Sequence, residues 1–357
     1  MAAVNAASQM GSQRTVKMSK VFKSAENFWK AEREEIEKSG LPPRALESFL
    51  TFREKYPDTP EKLAEFCREK DFGLTCISDE DYPPILKEIS NPPAVLYYRG
   101  KIETFAERIA VVGTRDYTDY GRKIAMHFGE ELAAAGLTVV SGAAIGIDTF
   151  AHQGALKFGR TVAVLACGIN WAFKHGGRKL FEKISERGAV LTEFNPNFTP
   201  NAGSFPSRNR IIAGLSRGVI VIEAGKKSGA LITANCAGES GRDVFAVPGN
   251  IFFPKSAGCH ELIRDGAILV TSAQDVFDQY NFEKVPVPTE KILTNEPAKL
   301  NEIEKKIFDI IPANEYITLD EILMQVDDID VSEISAVMIE LGLKNCVVED
   351  GGRYTRK

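Results

Sequence analysis

The stretch GSFPSRNRIIAGLSRG, residues 203–218, carries side chains suited to binding a phosphate chain. We expect a helix to begin there at Pro206 or Ser207. A helix N-terminus is electropositive, so basic residues in its first turns cost about 0.3–1 kcal/mol each unless an anion lies beside them. An aromatic ring just before them could stack on a nucleic-acid base. The candidate binding residues of this stretch are Phe205, Arg208, Asn209 and Arg210.

The charge of the surrounding segment supports this hypothesis. Residues 204–242 contain six basic and two acidic residues, within a protein of net charge −5. A local excess of this kind predicts a patch that holds phosphates. The alternative is a helix face whose arginines form salt bridges within the protein. The basic residues are Arg208, Arg210, Arg217, Lys226, Lys227 and Arg242, and the acidic ones are Glu223 and Glu239.

Glycine-rich loops before and after this stretch each follow an apolar run and precede a helical pattern. In GTRDYTDYG (113–121), which lacks the GxGxxG dinucleotide pattern, Arg115 is expected beside helix N-terminal amides that could bind phosphate. The alternative is that Gly113 only makes the turn and Arg115 is solvated. In SGAAIGID (141–148), Gly142 allows close backbone approach, and Asp148 is expected to cap the next helix.

The remaining loops extend the same pattern. EAGKKSGALITA (223–234) offers the amides of Ser228 and Gly229 to a second phosphate, and VPGN (247–250) closes the set. His152, on the helix after the second loop, is expected to be packed in the core rather than catalytic.

These loops do not contain the groupings that catalysis requires. None of them pairs a nucleophile with a histidine and a carboxylate, and the six cysteines have no CxxC or metal-binding spacing. We therefore expect no enzyme activity, no cofactor and no metal. The alternative is an enzyme that binds or hydrolyses nucleotide derivatives, of the phosphoribohydrolase type, for which Glu223 is the candidate catalytic residue.

The elements that position these loops alternate between strands and helices. Apolar, β-branched runs recur at 109–112, 138–140, 161–166, 189–192, 218–222, 243–247 and 267–270. Continuous apolar strands separated by helices indicate a buried parallel sheet. The fold class is therefore α/β, a Rossmann-like, doubly wound, mostly parallel sheet over residues 96–283.

Smaller regions flank this sheet. We expect residues 1–21 to be a flexible leader without a secretory signal, residues 22–95 a small helical domain, and the proline-rich segment 284–298 a linker. Residues 299–357 predict a winged helix, with helices at about 299–311, from Thr318 and at 332–341, and then a hairpin.

Composition narrows the class of protein further. Hydrophobic residues make up 44% and charged residues 26% of the 357-residue chain. These values are typical of a globular, cytoplasmic protein with reduced thiols, and the chain has no apolar run of about 18 residues that could span a membrane.

Together, the loop motifs resemble the DprA (Smf) family of DNA-processing proteins. The matching blocks run in family order over about 175 residues and include GTRDYTDYG, SGAAIGIDTFAH, FPSRNRIIAGLSRGVIVIEA, SGALITA and GRDVFAVPG. The resemblance implies a protein without enzyme activity that binds single-stranded DNA. It also implies protection of incoming strands and loading of the RecA recombinase onto them in natural transformation.

The resemblance also implies particular site residues. The DNA pocket would comprise Gly113, Arg115, Gly142, Phe205, Arg208, Asn209, Arg210, Ser228 and Gly229. The segment WAFKHGGRKL (171–180) departs from the family pattern, which continues with Tyr-Pro and then an asparagine, so Lys174 or Arg178 could substitute there. A homodimer would form through residues 258–270, with His260, Ile263 and Leu269 at the interface.

The charge of the C-terminal module argues against a duplex-reading transcription regulator. Residues 299–357 contain seven basic and thirteen acidic residues, and the expected recognition helix, 332–342, has no basic residue. A helix that enters the major groove needs basic or amide side chains. We expect this module to contact protein instead.

Overall fold

A computed structural model describes residues 1–282, 300–312, 316–326, 329–344, 346–350 and 353–356. The chain forms two compact units, Met1–Val287 and Pro288–Lys357. The linker predicted at 284–298 lies outside the described residues.

Six helices open the first unit, and the first two occupy the segment predicted to be a flexible leader. That prediction is wrong, because Val4, Met10 and Met18 are buried in one apolar cluster with Phe28 and Phe49. The apolar residues of this segment are alanines, valines and methionines without a regular helical spacing, and the flexible side chains of Met10 and Met18 pack in the same cluster as the aromatic rings. The helices are α1 (Ala2–Ala6), α2 (Gly11–Val21), α3 (Ala25–Lys30), α4 (Arg33–Lys38), α5 (Pro43–Lys55) and α6 (Thr59–Glu69).

The centre of the first unit is a nine-stranded sheet of order β1-β2-β6-β5-β4-β3-β7-β8-β9. Strands β3 to β9 pair in parallel and coincide with the seven apolar runs, so the mostly parallel sheet is confirmed. The strands are β1 (Gly73–Cys76), β2 (Val95–Gly100), β3 (Arg108–Gly113), β4 (Thr138–Ser141), β5 (Thr161–Val164), β6 (Ala189–Thr192), β7 (Gly218–Ile222), β8 (Asp243–Ala246) and β9 (Ile268–Leu269).

Two antiparallel strands extend the sheet beyond its predicted N-terminal boundary. Strand β1 pairs with β2, with Leu74 opposite Tyr97, and β2 pairs with β6. The predicted boundary between residues 95 and 96 is therefore wrong, since β1 belongs to the sheet and Tyr82 and Leu86 are buried in the sheet's core. The four-residue strand GLTC is too short to be recognised as a strand from its sequence.

Helices cover both faces of the sheet, as a doubly wound fold requires. Ile109 and Val111 of β3 lie in a core cluster with Phe128, whereas the alternate residues of β3 lie in a second cluster with Ile211. The helices are α7 (Asp119–Ala134), α8 (Ile147–Phe158), α9 (Ile169–His175), α10 (Arg178–Arg187), α11 (Ser204–Gly214), α12 (Gly229–Glu239), α13 (Ala257–Arg264) and α14 (Ala273–Tyr280), with short 3₁₀ helices at Pro84–Glu88 and Pro254–Ser256.

The strand order reverses between β3 and β7. From β3 the chain proceeds through β4 and β5 to β6 on one side, and then returns to place β7 against the other side of β3. In open α/β sheets, ligands bind at the carboxyl ends of the strands beside such a switch point. The loops after β3 and β7 are therefore the positions at which to look for a site.

The second unit contains α15 (Glu302–Ile310), β10 (Ile317–Thr318), α16 (Leu319–Leu323), α17 (Val331–Leu343), β11 (Val347–Asp350) and β12 (Arg353–Arg356). Strand β12 lies between β10 and β11 in an antiparallel sheet. The helix predicted from Thr318 is present as α16, and Thr318 and Glu321 form a capping box at its start. These elements match the predicted helices and hairpin in type and order, while the winged-helix assignment itself stays a prediction.

The described residues also limit other classes of site. Within them, no helix is both long and apolar enough to cross a lipid bilayer. No three His, Cys, Asp or Glu side chains in the same part of the chain are grouped closely enough to hold a metal ion.

Candidate functional site

A cleft of about 540 Å³ lies at the carboxyl ends of β3 and β7, where the strand order reverses. Its walls come from four of the loops and helix starts that the sequence analysis singled out. The predicted site residues that line it are Gly113, Arg115, Phe205, Arg208, Asn209, Ser228 and Gly229.

The rim of the cleft is formed by Arg115 and Phe205. The guanidinium carbon of Arg115 lies 5.0 Å from the centroid of the Phe205 ring. Arg115 is exposed and forms no ion pair with any described residue. A guanidinium held over an aromatic face is a cation–π contact worth about 0.5–1 kcal/mol at an exposed site. The pair thus presents one unpaired positive charge and one aromatic ring at the same point.

The helix N-terminus beside Arg115 is occupied by a carboxylate of the protein itself. Helix α7 is capped by Thr118, whose backbone amide donates to Oε2 of Glu223 at 2.9 Å and whose hydroxyl donates to Oε1. Gly121 packs against the same carboxylate, since a Cβ there would collide with it. The prediction that a phosphate binds at free amides here is therefore not supported, because the buried carboxylate of Glu223 accepts from the amide of Thr118 and the hydroxyl of Thr118 accepts from the amide of Gly121.

The floor of the cleft contains a buried charge pair. Arg208 is 5% exposed and donates to the carbonyl oxygen of Gly142 at 2.6 Å and to that of Val164. Asp148 is also buried, and the two side chains interact electrostatically. Burial lowers the pKa of the Arg208 guanidinium and raises that of the Asp148 carboxyl, and the opposite charge of each offsets part of the other's shift. Arg208 therefore supports the floor from below.

Asp148 does not cap helix α8 as predicted. The N-cap of α8 is Gly146, and Oδ2 of Asp148 instead accepts from the amides of Gly142, at 3.1 Å, and Ala144, at 3.4 Å. The carboxylate thus ties down the glycine-rich loop that precedes its helix. His152 is buried as predicted, and burial lowers the pKa of its imidazole to about 3.

Helix α11 begins at Ser204, two or three residues before the predicted start at Pro206 or Ser207. Phe205 therefore lies within the helix and not before it. Asn201 accepts from the amides of Gly203 and Ser204 at 3.0 Å each and fixes this start. Phe205 and Asn209 lie one turn apart and both line the cleft, where Nδ2 of Asn209 donates to the carbonyl oxygen of Gly229 at 3.4 Å.

Arg210 lies outside the cleft, contrary to its predicted place in the pocket. Its guanidinium pairs with Glu193, and both side chains are largely buried. The other arginines of the basic segment are paired as well, Arg217 with Glu107 at 3.3 Å and Arg242 with Glu88 at 2.7 Å. Acidic residues from other parts of the chain thus neutralise three of the six basic residues of the segment, as the salt-bridge alternative anticipated.

The lysines of the basic segment behave differently. Lys226 and Lys227 are exposed and form no ion pair with any described residue. They precede Ser228, the N-cap of α12, whose Oγ accepts from the amide of Ala230 at 3.3 Å. A Cβ on Gly229 would meet no atom within 4 Å, so the backbone is open at this point.

A larger groove of about 1200 Å³ continues from Arg115 and Phe205 along α9 and the start of α10. Lys174, the predicted substitute for the missing family residues, lines this groove, as does Gly142. Arg178 also lines it but pairs with Glu182. Trp171 and His175 also line the groove and were not predicted as site residues, although their spacing of four within a short helix places them on one face.

The three residues predicted at a dimer interface have different environments. Leu269 is 49% exposed on β9, the last strand of the sheet. Ile263 packs against the sheet's core, and Nε2 of His260 donates to the carbonyl oxygen of Gly249 at 3.0 Å. The dimer stays a prediction, with Leu269 the best placed of the three for an intermolecular contact.

The sequence is similar to one family of known proteins. The family of DNA recombination-mediator protein A matches residues 73–281. Protein Smf of Synechocystis is 35% identical over 373 residues, covering 94% of this chain and 93% of that protein.

Two solved structures are also similar. The structure of DNA processing protein A from Streptococcus pneumoniae has a TM-score of 0.68 and 37% identity, and the match covers 79% of this chain and 96% of that one. That of DNA processing protein A from Helicobacter pylori, which concerns its single-stranded DNA binding mode, has a TM-score of 0.54 and 28% identity, and covers 59% of this chain and 97% of that one.

Proposed function

The chain belongs to the family of DNA recombination-mediator protein A, and from this membership we propose that it is a recombination mediator that binds single-stranded DNA without catalysing a reaction. The observation that carries the proposal is the pairing of Arg115 with Phe205 at the mouth of the cleft. A polyanion with exposed bases needs both a positive charge and an aromatic face at adjacent points. The name of the Helicobacter pylori structure gives that relative the same ligand.

In this proposal the residues at the rim of the cleft contact the DNA, and the residues of its floor keep the cleft in shape. Arg115 is free to contact a phosphate, and Phe205 to stack on a base, when a strand enters and separates them. Gly229 leaves the backbone open to close approach, whereas the missing side chain of Gly113 makes room for Ile222 and Ile147 of the protein itself. Arg208 and Asp148 support the floor. Duplex DNA keeps its bases stacked inside, so it cannot use the ring of Phe205.

The same proposal includes the cellular role that the family resemblance implies. Acting as a cytoplasmic homodimer, the protein protects incoming single strands and loads the RecA recombinase onto them during natural transformation. The family's description as a recombination mediator supports this role. We assign no cofactor.

The enzyme alternative is less well supported by the geometry. Glu223, its candidate catalytic residue, is buried, and its two carboxylate oxygens accept hydrogen bonds from the amide and the hydroxyl of Thr118. A general acid or base must reach the proton that it transfers. Glu223 is better placed to join the loop after β7 to the start of α7.

The proposal is tested by fluorescence anisotropy with a labelled single-stranded oligonucleotide and its duplex. We expect tighter binding of the single strand. Phe205→Ala should weaken this binding by about 1–3 kcal/mol through lost stacking, and Arg115→Ala should weaken it about equally for all sequences, because a phosphate contact does not read bases.

Two exposed residues elsewhere provide matched controls, Phe105→Ala for the ring and Arg44→Ala for the charge. Neither should change affinity. Equal affinity for duplex and single strand, or unchanged affinity in both cleft variants with the fold intact, would refute the proposal.

A further inference from the structure

The groove along α9 has a lining that differs in charge from the rest of the protein. It contains Arg115, Lys174, His175, Arg178, Lys179 and Arg208, and none of its described lining residues is Asp or Glu. In a chain of net charge −5, a groove of about 1200 Å³ lined by basic and not by acidic residues has a local charge that favours an anion. Lys174 and Lys179 are exposed and form no ion pair with any described residue.

One wall of this groove carries an aromatic platform. The rings of Trp171 and His175 are stacked, with centroids 4.5 Å apart and planes inclined by 16°. The stack is held in place, because Nδ1 of His175 donates to the carbonyl oxygen of Trp171 at 2.8 Å. The start of the helix is fixed in turn by the amides of Asn170 and Trp171, which donate to the carbonyl oxygen of Pro196 at 2.9 and 3.2 Å.

The groove is continuous with the cleft, since Arg115, Phe205 and Arg208 line both. A chain bound at Phe205 therefore has a path that leads past unpaired lysines to a second aromatic surface. The backbone beside this path is open, because a Cβ on Gly176 would meet no atom within 4 Å. Alternating charge and aromatic faces along a groove are what a single strand requires.

We propose that the segment from Trp171 to Lys179 is a second nucleotide subsite, in which a base stacks on the Trp171–His175 platform and Lys174 and Lys179 contact the phosphates. This inference rests on the proposed function and adds the direction in which the strand leaves the cleft. It also gives a role to the segment in which this chain departs from the family pattern.

Tryptophan fluorescence tests the subsite directly, because the chain has two tryptophans, Trp29 and Trp171. In the Trp29→Phe variant, emission comes from Trp171 alone. Titration with unlabelled oligothymidylate should quench this emission, with the same midpoint as binding measured by anisotropy. Binding by anisotropy without a change in emission would overturn the subsite and leave the proposed function standing. Absence of binding in both measurements would overturn both.

A second pair of variants does not disturb the core. Lys174→Gln with Lys179→Gln should lower affinity for a twelve-nucleotide strand by about fivefold or more, and should reduce the gain in affinity between two and twelve nucleotides. The control is Lys38→Gln with Lys70→Gln, at two exposed lysines of the N-terminal helices. Unchanged length dependence in the groove variant, or an equal loss in the control, would contradict the subsite.

Discussion

Arg208 donates a hydrogen bond to the carbonyl oxygen of Gly142 at 2.6 Å, and a Cβ atom on residue 142 would collide with its guanidinium. The two residues are 66 positions apart in sequence, with Gly142 in the loop after β4 and Arg208 on helix α11. Their contact explains why glycine and arginine occur together here. It also changes what a variant at position 208 should do.

Arg208→Met should destabilise the fold rather than only weaken ligand binding. The substitution removes the hydrogen bonds from the guanidinium to the carbonyl oxygens of Gly142 and Val164 and leaves buried Asp148 without the opposite charge of Arg208. A buried acceptor left unsatisfied costs about 1–3 kcal/mol. Urea unfolding followed by circular dichroism measures this loss. Adding Asp148→Asn should recover part of it, and the exposed control Arg44→Met should stay within about 0.5 kcal/mol of the unmodified protein. A free energy of unfolding that is unchanged in Arg208→Met would contradict the structural role of Arg208.

Binding of single strands should depend steeply on salt, and a defined set of residues should set the dependence. Neutralising ~3–5 phosphates gives a slope of log K against log[salt] of roughly −2 to −3.5. Arg115, Lys174 and Lys179 are unpaired and should contribute. Arg217→Gln and Arg242→Gln should leave the slope unchanged, because these arginines already have acidic partners. A slope near zero would show that few phosphates are neutralised. A slope of smaller magnitude in either control variant would show that Arg217 or Arg242 binds phosphate.

Leu269→Arg should convert the predicted homodimer to a monomer in sedimentation at micromolar concentration. The exposed leucine of edge strand β9 would be buried in a dimer, where a charge is costly. Leu74→Arg, on edge strand β1 at the other end of the sheet, should remain dimeric. A monomeric unmodified protein would rule out this interface.

Deleting residues 284–357 should leave affinity for single strands within a few-fold of that of the full chain. The cleft and the groove lie entirely in the unit Met1–Val287, and the deleted module has an acidic excess that repels phosphate. Anisotropy on the shortened chain, with circular dichroism to verify folding, measures this. A tenfold loss, about 1.4 kcal/mol, would assign the module a direct part in binding.

The parallel sheet could be predicted from sequence because its strands are continuous apolar runs separated by helical patterns, and the positions of the loops follow from those of the strands. The partners of Arg208 and Arg210 could not be predicted. Glu193, beyond β6, and Asp148, on α8, meet helix α11 only in the folded protein. Counting charges along the chain therefore overestimated the basic patch, because three of its arginines pair with acidic residues that are distant in sequence. The burial of α2 was missed for a related reason, since Met18 gains its environment from Phe28 and Phe49.

The separation between rim and floor has a consequence for how this site can evolve. Arg208 is committed to the fold by hydrogen bonds to the carbonyl oxygens of Gly142 and Val164, whereas Arg115 rests on one aromatic ring and Lys174 is exposed. Substitutions at the rim therefore carry little penalty in folding, and they can alter affinity and strand length independently. Substitutions in the floor cannot. Selection can thus change the ligand affinity of the protein without changing the residues that stabilise its fold.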